Sequence, residues 1–229
     1  HRKLQQRCTY IKFIEMSLKY QIREAKNGSS PFPAILLLHG YGSNDDDLFS
    51  FVDYLPKTHT IISLRAPLDT PMGGYAWYTI HNNMTQDKWS DDEEAIISIK
   101  TVTDQLEELV NKHNLDSNDI SLMGFSQGAI LSWAILLDNP DKVRRAICMS
   151  GYINKNILQN PITSYAGVLA LGSHGSEDVT VPYLWAMDSI EMLQAKNPAV
   201  VFNTYPDGHN LSAQNLQDII KWLEKTNLK

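Results

Sequence analysis

The sequence has few of the features that mark disulfide-rich or secreted proteins. Its 229 residues include only two cysteines, Cys8 and Cys148, which are too few for a disulfide framework. Cys148 lies in the apolar run 146–149, and this position predicts a buried thiol of the protein core. Such cysteine usage is typical of a reducing compartment, so we expect a cytoplasmic location.

Long apolar runs and an excess of positive charge are also lacking. No segment reaches the ~18 apolar residues that a membrane-spanning helix needs, so no stable membrane insertion is expected. The net charge is −6, and the lysines and arginines form no stripe, which predicts that the chain has no nucleic-acid partner. With 43% hydrophobic and 20% charged residues, the composition is that of an ordinary globular enzyme.

No feature of the sequence divides it into separate units. It has no internal repeat, low-complexity tract or linker rich in proline, glycine and serine, so residues 16–229 are predicted to form one domain. The first fifteen residues carry several charges and lack the apolar centre of a signal peptide. We expect Met16 to be the natural start and residues 1–15 to be an upstream segment outside the core.

Short apolar runs alternate with longer amphipathic stretches along the chain. This alternation is typical of βαβ units and predicts an α/β fold with a mostly parallel sheet. Ser90 and Glu93 are spaced as a capping box at the start of one helix. The longest irregular stretch, 66–88, is a candidate wall of a substrate pocket. The predicted strands are 17–22, 34–38, 60–64, 120–124, 145–149, 167–171 and 200–205.

A glycine-flanked serine gives the strongest chemical signal. Residues 124–128 read Gly-Phe-Ser-Gln-Gly, between a predicted buried strand and an apolar helix. On such a strand-to-helix turn the flanking glycines leave room for a strained, exposed nucleophile. The free N–H groups at the start of the helix favour negative charge there. The motif therefore predicts Ser126 as a nucleophile.

A serine nucleophile needs a base that removes its proton. After Ser126 only His174 and His209 remain, and the chain order typical of this fold is serine, acid, histidine. His209 follows a predicted strand and precedes the last helix, at the sheet edge where Ser126 also lies. His174 comes too early for that order and is expected to shape a turn. His209 is therefore the predicted base.

The acid that orients the base is expected between the serine and the histidine. Asp178 follows the predicted strand 167–171 after a short turn and is the leading candidate, with its neighbour Glu177 as the alternative. Asp188 falls in a helical pattern, and Asp207 lies in the turn of the histidine itself. We therefore predict Asp178 and leave Glu177 open.

Backbone N–H groups near the serine are expected to stabilise the negative charge of the reaction. The N–H of Gln127 is one predicted oxyanion donor, and that of Tyr41, in the glycine-flanked turn after strand 34–38, is the second. His39 in the same turn is expected to satisfy a loop carbonyl from beneath the site; a second catalytic base is the alternative.

Together these motifs resemble the phospholipase/carboxylesterase family of α/β-hydrolases, which includes the acyl-protein thioesterases. The resemblance covers nearly everything from Met16 onward, and the ordered set is more specific than any single motif. Ala129 departs from it, since many members carry a further glycine there; we expect little effect because alanine suits a helix. The matching segments are 38–42, 75–78, 124–128, 174–175 with Asp178 and Pro182, and 208–209.

The resemblance implies a fold without a large cap domain, without a metal ion and without an organic cofactor. Ser126, Asp178 and His209 match the catalytic triad of the family, and Tyr41 and Gln127 match its oxyanion donors. It further implies that carboxylic esters or thioesters are cleaved through an acyl-enzyme.

The pocket, unlike the triad, decides between related activities. Trp77 and Val181 are predicted to line it. We expect a carboxylesterase that acts on small-molecule esters with short to medium acyl chains. An acyl-protein thioesterase or a lysophospholipase would use the same triad, and a binding protein on an inactive hydrolase fold is the remaining alternative. A homodimer is compatible with the sequence.

Overall fold

The computed structural model of the protein describes residues 17–81, 90–161 and 164–227. The predicted upstream segment 1–15, with Cys8, lies outside these ranges, as does the end of the irregular stretch, residues 82–88. The elements, in chain order, are β1 (Tyr20–Arg23), β2 (Phe32–Leu38), β3 (Thr60–Leu64), β4 (Leu68–Asp69), β5 (Tyr75–Ala76), α1 (Asp92–Lys112), β6 (Leu115–Phe125), α2 (Gln127–Asp138), β7 (Arg145–Met149), β8 (Ala170–Gly175), α3 (Tyr183–Gln194), β9 (Val201–Tyr205) and α4 (Ala213–Thr226), with 3-10 turns at Leu48–Phe51 and Lys155–Ile157.

A seven-stranded sheet forms the centre of the described fold. Its strand order is β1-β3-β2-β6-β7-β8-β9. Only β1 runs antiparallel to its neighbour, and the other six strands are parallel. In a parallel sheet all strands end at the same edge, where the following loops meet. The predicted α/β class is confirmed, and this carboxyl edge is where the site must be sought.

Helices cover both faces of the sheet, and β2 shows why. Leu36 and Leu38 pack on one face with α1 and α2, while Ile35 and Leu37 pack on the other with α4. All four side chains are completely buried. Successive strand residues point to opposite faces, so a strand buried on both sides reads as one continuous apolar run. The run at 34–38 has this form.

Most predicted strands agree with the structure, but strand 167–171 is displaced. The strand found there is β8, Ala170–Gly175, so Ser173 and His174 lie in the sheet and not in a turn. The sequence suggested a turn because glycines and polar residues cluster there. In the fold the Ser173 hydroxyl has a partner inside the protein, since Asn215 donates to it at 3.0 Å.

The cap of α1 also differs from the prediction by one residue. Asp91, and not Ser90, is the N-cap, and its carboxylate accepts the N–H of Glu94 at 3.1 Å. Ser90 instead donates to the Asp92 carboxylate at 3.0 Å. Aspartate and serine cap helices about equally well, so the local sequence alone does not choose between adjacent positions.

Cys148 is buried as expected, and burial raises the pKa of its thiol well above the ordinary value. In the ranges 17–81, 90–161 and 164–227, no helix has both the length and the apolar character that crossing a bilayer requires.

Candidate active site

Ser126 occupies a strained turn between β6 and α2. Its φ angle is +53°, a left-handed conformation that non-glycine residues rarely adopt. Its N–H donates to the Met149 carbonyl on the neighbouring strand at 2.9 Å, which fixes the turn against β7. Ser126 is 9% exposed, so solvent reaches only a small part of it. The turn therefore presents a hydroxyl at the carboxyl edge of the sheet.

Two glycines allow this turn to pack so tightly. A Cβ atom on Gly124 would lie 2.3 Å from the Gly128 carbonyl oxygen, and one on Gly128 would lie 2.0 Å from the Leu38 carbonyl oxygen. Both separations are too short for any side chain. The glycines of the motif are therefore required because the backbone of the turn contacts itself and the end of β2.

The imidazole of His209 contacts both predicted partners. Its Nε2 atom lies 2.9 Å from the Ser126 hydroxyl, and its Nδ1 atom lies 2.7 Å from a carboxylate oxygen of Asp178. A carboxylate only accepts hydrogen bonds, so Nδ1 carries the proton and Nε2 is free to accept one from serine. The Phe125 ring packs beside the imidazole, with ring centres 4.9 Å apart. The geometry is that of a nucleophile, base and acid in series.

Asp178, and not Glu177, is the acid that the structure brings to His209. The Asp178 side chain is completely buried, whereas Glu177 is exposed. One Asp178 oxygen accepts the N–H groups of Thr180 and Val181, each at 2.9 Å, while the other accepts from His209. These bonds fix the carboxylate in one orientation. The chain order allowed either Asp178 or Glu177 to be the acid. The two are distinguished by burial, since only Asp178 is buried.

His174 contributes to the same cluster, although it was predicted only to shape a turn. Its Nε2–H donates to the Val181 carbonyl at 2.9 Å and lies 3.2 Å from Asp178. Burial lowers the pKa of His174, which favours the neutral imidazole. His174 thus holds the turn whose N–H groups orient Asp178. The spacing of four residues between His174 and the candidate acid is the feature of the sequence that could have indicated this role.

One predicted oxyanion donor, the N–H of Tyr41, belongs to the turn after β2, and the other, that of Gln127, directly follows the serine in the sequence. A Cβ atom on Gly40 would lie 3.3 Å from the Ser126 Cβ, so the turn after β2 rests directly against the nucleophile. Within the described chain the N–H of Tyr41 has no acceptor. Gln127 is the first residue of α2, and N–H groups of a first turn lack an acceptor inside the helix. Both N–H groups are therefore available to a ligand.

Trp77 and Val181, the predicted pocket residues, are completely buried. Neither presents surface to a ligand in this structure. The Trp77 indole donates to the His39 carbonyl at 2.9 Å, and its backbone N–H donates to the Gln127 side chain at 2.8 Å. An aromatic cluster in an irregular stretch does not reveal whether its rings face a pocket or the core. Here both side chains are packed behind the site.

In the described ranges no three histidine, cysteine, aspartate or glutamate side chains come close enough together to hold a metal ion. The acidic residues after Gly42 are partly occupied by other partners, since Asp45 pairs with Arg65 at 2.5 Å.

The mostly parallel sheet, its flanking helices and the Ser126, His209 and Asp178 arrangement define an α/β-hydrolase. The model of the protein family described as phospholipase/carboxylesterase matches residues 22–227. The chain belongs to this family.

Two curated relatives are similar to the chain over most of its length. Acyl-protein thioesterase 1 of Candida albicans is 28% identical over 225 residues, which cover 89% of this chain and 96% of the relative. Acyl-protein thioesterase 1 of Debaryomyces hansenii is 26% identical and covers 89% and 95%.

Structures under 25% identical support the fold alone. Esterase PE8 has a TM-score of 0.78 at 22% identity, covering 93% of this chain and all of its own. The Bacillus cereus carboxylesterase has a TM-score of 0.77 at 20% identity, covering 94% and 98%. Acyl-protein thioesterase 2 of Zea mays has a TM-score of 0.72 at 21% identity, covering 90% and 98%.

Proposed function

We propose that the protein is a serine carboxylesterase that hydrolyses small-molecule esters with short to medium acyl chains through an acyl-enzyme on Ser126. The observation that carries this proposal is the continuous chain of hydrogen bonds from the Ser126 hydroxyl through His209 to Asp178, at 2.9 and 2.7 Å. Serine is a weak nucleophile by itself, and this arrangement supplies the base that activates it.

The reaction proceeds in two halves. The Ser126 oxygen attacks the ester carbonyl carbon while its proton moves to Nε2 of His209. His209 then gives that proton to the leaving alcohol, and the acyl group stays on the serine. Water repeats the sequence, with His209 as its base, and releases the acid. Asp178 keeps the imidazole in the required tautomer and stabilises its positive charge.

Negative charge on the carbonyl oxygen has to be stabilised in both halves. The N–H groups of Tyr41, in the turn that contacts Ser126, and of Gln127, which follows it, lack acceptors among the described residues. Each such donor contributes about 3 kcal/mol to lowering the barrier in related enzymes.

A short acyl group suits the surroundings of the serine. Ser126 is itself largely buried, and Trp77 and Val181, the residues predicted to line the pocket, are completely buried and offer no surface to a long acyl chain. A long chain would therefore have to lie across the surface near exposed residues such as Val179, which is 94% exposed.

Acyl-protein thioesterase activity is the second candidate. It is supported by the curated relatives that carry this name, two of which align over 89% of the chain. A thioester passes through the same tetrahedral intermediate, so the triad serves both activities, and a lysophospholipase likewise.

One panel of substrates separates these possibilities. Esters and thioesters of increasing acyl length are assayed with the wild type, with Ser126→Ala and with the control Ser29→Ala, whose serine is exposed. Activity that falls sharply beyond short acyl chains supports the carboxylesterase, and preference for long acyl thioesters supports the alternative. We expect Ser126→Ala to lower kcat by up to about 10⁶-fold. Full activity of Ser126→Ala would refute both candidates.

A further inference from the structure

The hydrogen bonds of His39 fix its tautomer. Its Nε2 atom accepts the N–H of Ala66 at 3.1 Å, so it carries no proton. Its Nδ1–H therefore donates to the Gly40 carbonyl, at 2.7 Å. His39 is completely buried, and burial lowers the pKa of its imidazole, which favours this neutral form. The alternative of a second catalytic base does not fit, because both ring nitrogens are already engaged.

The carbonyl that His39 holds belongs to the same peptide unit as the N–H of Tyr41. A trans peptide is planar, and its C=O and N–H point in opposite directions. A bond that fixes the Gly40 oxygen therefore fixes the direction of the Tyr41 N–H. When the Gly40 carbonyl accepts a hydrogen bond, the Tyr41 N–H of the same peptide unit becomes more polarised. The hydrogen bond that this N–H donates is then stronger.

A second set of bonds ties this turn to the other predicted donor. The side chain of Gln127 accepts the backbone N–H of Trp77 at 2.8 Å and donates to the Tyr78 carbonyl at 2.7 Å. The Trp77 indole then donates to the His39 carbonyl at 2.9 Å. Gln127, Trp77 and His39 are all buried, so water does not compete for these bonds. They form a brace between the two oxyanion donors.

We propose that His39 is a positioning residue of the oxyanion hole: its Nδ1–H holds the Gly40–Tyr41 peptide, and the brace through Trp77 and the Gln127 side chain keeps the two donors at a fixed separation. This inference rests on the proposed function. It places Trp77 behind the oxyanion hole, whereas the sequence predicted that this residue lines the substrate pocket.

Two substitutions of His39 separate positioning from general support of the fold. In His39→Asn the amide nitrogen occupies the place of Nδ1 and still donates to Gly40, but Ala66 loses its acceptor. In His39→Gln the amide oxygen occupies the place of Nε2 and still accepts from Ala66, but the donor to Gly40 is lost. His59→Gln, at a buried histidine far along the fold, serves as the control for loss of stability alone.

Each variant is compared with the wild type by its kcat, its KM, its thermal unfolding and its inhibition by a trifluoromethyl ketone, which forms an oxyanion on the active serine. We expect His39→Gln to lose about 10- to 100-fold in kcat, less than the full loss of a donor, with little change in KM. Its affinity for the ketone falls in parallel. His39→Asn keeps at least 10-fold more kcat than His39→Gln, even where it unfolds at a lower temperature.

Equal kcat values in the two His39 variants would overturn the inference, because donation to Gly40 would then not matter. If His39→Asn does not fold, the ketone decides: unchanged affinity in folded His39→Gln contradicts the proposal, and weakened affinity at constant KM supports it. The Ser126→Ala variant distinguishes failure of this inference from failure of the proposed function. An active Ser126→Ala protein refutes the hydrolase itself, whereas an inactive one together with equal His39 variants refutes only the positioning role.

Discussion

The carboxylate of Asp178 is completely buried and accepts three hydrogen bonds from two backbone N–H groups and His209. A buried charge is tolerated only where its oxygens are paired, and here each oxygen has a partner. Because Nδ1 of His209 must donate to this carboxylate, Nε2 is left as the acceptor that faces Ser126. The acid thus controls the tautomer of the base.

Asp178→Asn tests that control at the scale of one residue. An amide that turns its nitrogen toward His209 would donate and force the imidazole into the other tautomer, in which Nε2 carries a proton and cannot act as a base. We expect kcat to fall by about 10⁴-fold with the fold retained. Steady-state kinetics with circular dichroism measures both, and Glu177→Gln is the matched control. Loss of activity in Glu177→Gln with an active Asp178→Asn would reverse the assignment of the acid.

The sequence predicted which residues meet at the site better than it predicted their surroundings. Ser126 and His209 follow from a local motif and a chain order, both of which are visible in one dimension. The choice between Asp178 and Glu177, and the burial of Trp77, depend on which side of a turn faces the core. Adjacent residues of similar character do not reveal that in the sequence.

At the scale of elements, the contact between the start of α2 and the end of β2 sets the geometry of the site. The Gly128 backbone packs against the Leu38 carbonyl, and the turn after β2 rests on Ser126. The same contact places the turn that carries the Tyr41 N–H beside the serine that precedes Gln127. A change in helix position would therefore disturb the proposed nucleophile and the proposed oxyanion donors together.

Gly128→Ala is predicted to damage this junction. Its new methyl group would lie 2.0 Å from the Leu38 oxygen, so α2 or β2 must move. We expect a loss of stability of several kcal/mol, at the upper end for overpacked cores, and a fall in kcat of at least about 10-fold. Chemical denaturation and ester hydrolysis measure these effects.

Gly167→Ala provides the control for the glycine substitution, because no atom lies within 4 Å of its new Cβ. It should leave kcat unchanged and alter stability by less than about 1 kcal/mol. If Gly128→Ala behaved in the same way as Gly167→Ala, the tight junction would not be what positions the site.

The strand boundaries show which elements could be predicted from the sequence. Buried runs such as Thr60–Leu64 and Arg145–Met149 have the bounds that the apolar pattern predicted. Strand β8 does not, because it ends in Ser173, His174 and Gly175, which interrupt the apolar pattern, and of these His174 contacts Asp178. Where a strand ends in functional side chains, the hydrophobic pattern stops before the hydrogen-bonded ladder does.

At the scale of the whole molecule, a second buried polar cluster lies at the opposite, amino edge of the sheet. Arg145 is completely buried and donates to Nε2 of His59 at 3.0 Å, to Ser121 at 2.7 Å and to the Thr226 carbonyl at 2.7 Å. These bonds tie the end of α4 to strands β6 and β7. Burial, and then the charge of Arg145, lowers the pKa of His59 to about 4.

This shift predicts how stability depends on pH. The unfolded chain takes up a proton at His59 near pH 6.5, whereas the folded chain does so only near 4. The free energy of unfolding should therefore fall as pH decreases from 6.5 to 4, by about 3 kcal/mol from this residue. The pKa values of His39 and His174 are also lowered by burial and act in the same direction.

Urea denaturation across this pH range measures the effect. In His59→Gln the amide oxygen can still accept from Arg145 but does not titrate, so part of the slope should disappear while the remainder from the other histidines persists. An identical slope in His59→Gln and the wild type would contradict the assignment of the shift to His59.

The central claim is that Ser126 forms the covalent intermediate. The most direct measurement is to treat the protein with a small alkyl fluorophosphonate, from which an activated serine oxygen displaces fluoride, and to map the modified peptide by mass spectrometry. We expect one adduct, on Ser126, that forms in the wild type and is absent from Ser126→Ala. An adduct on another residue, or equal labelling of Ser126→Ala, would contradict it.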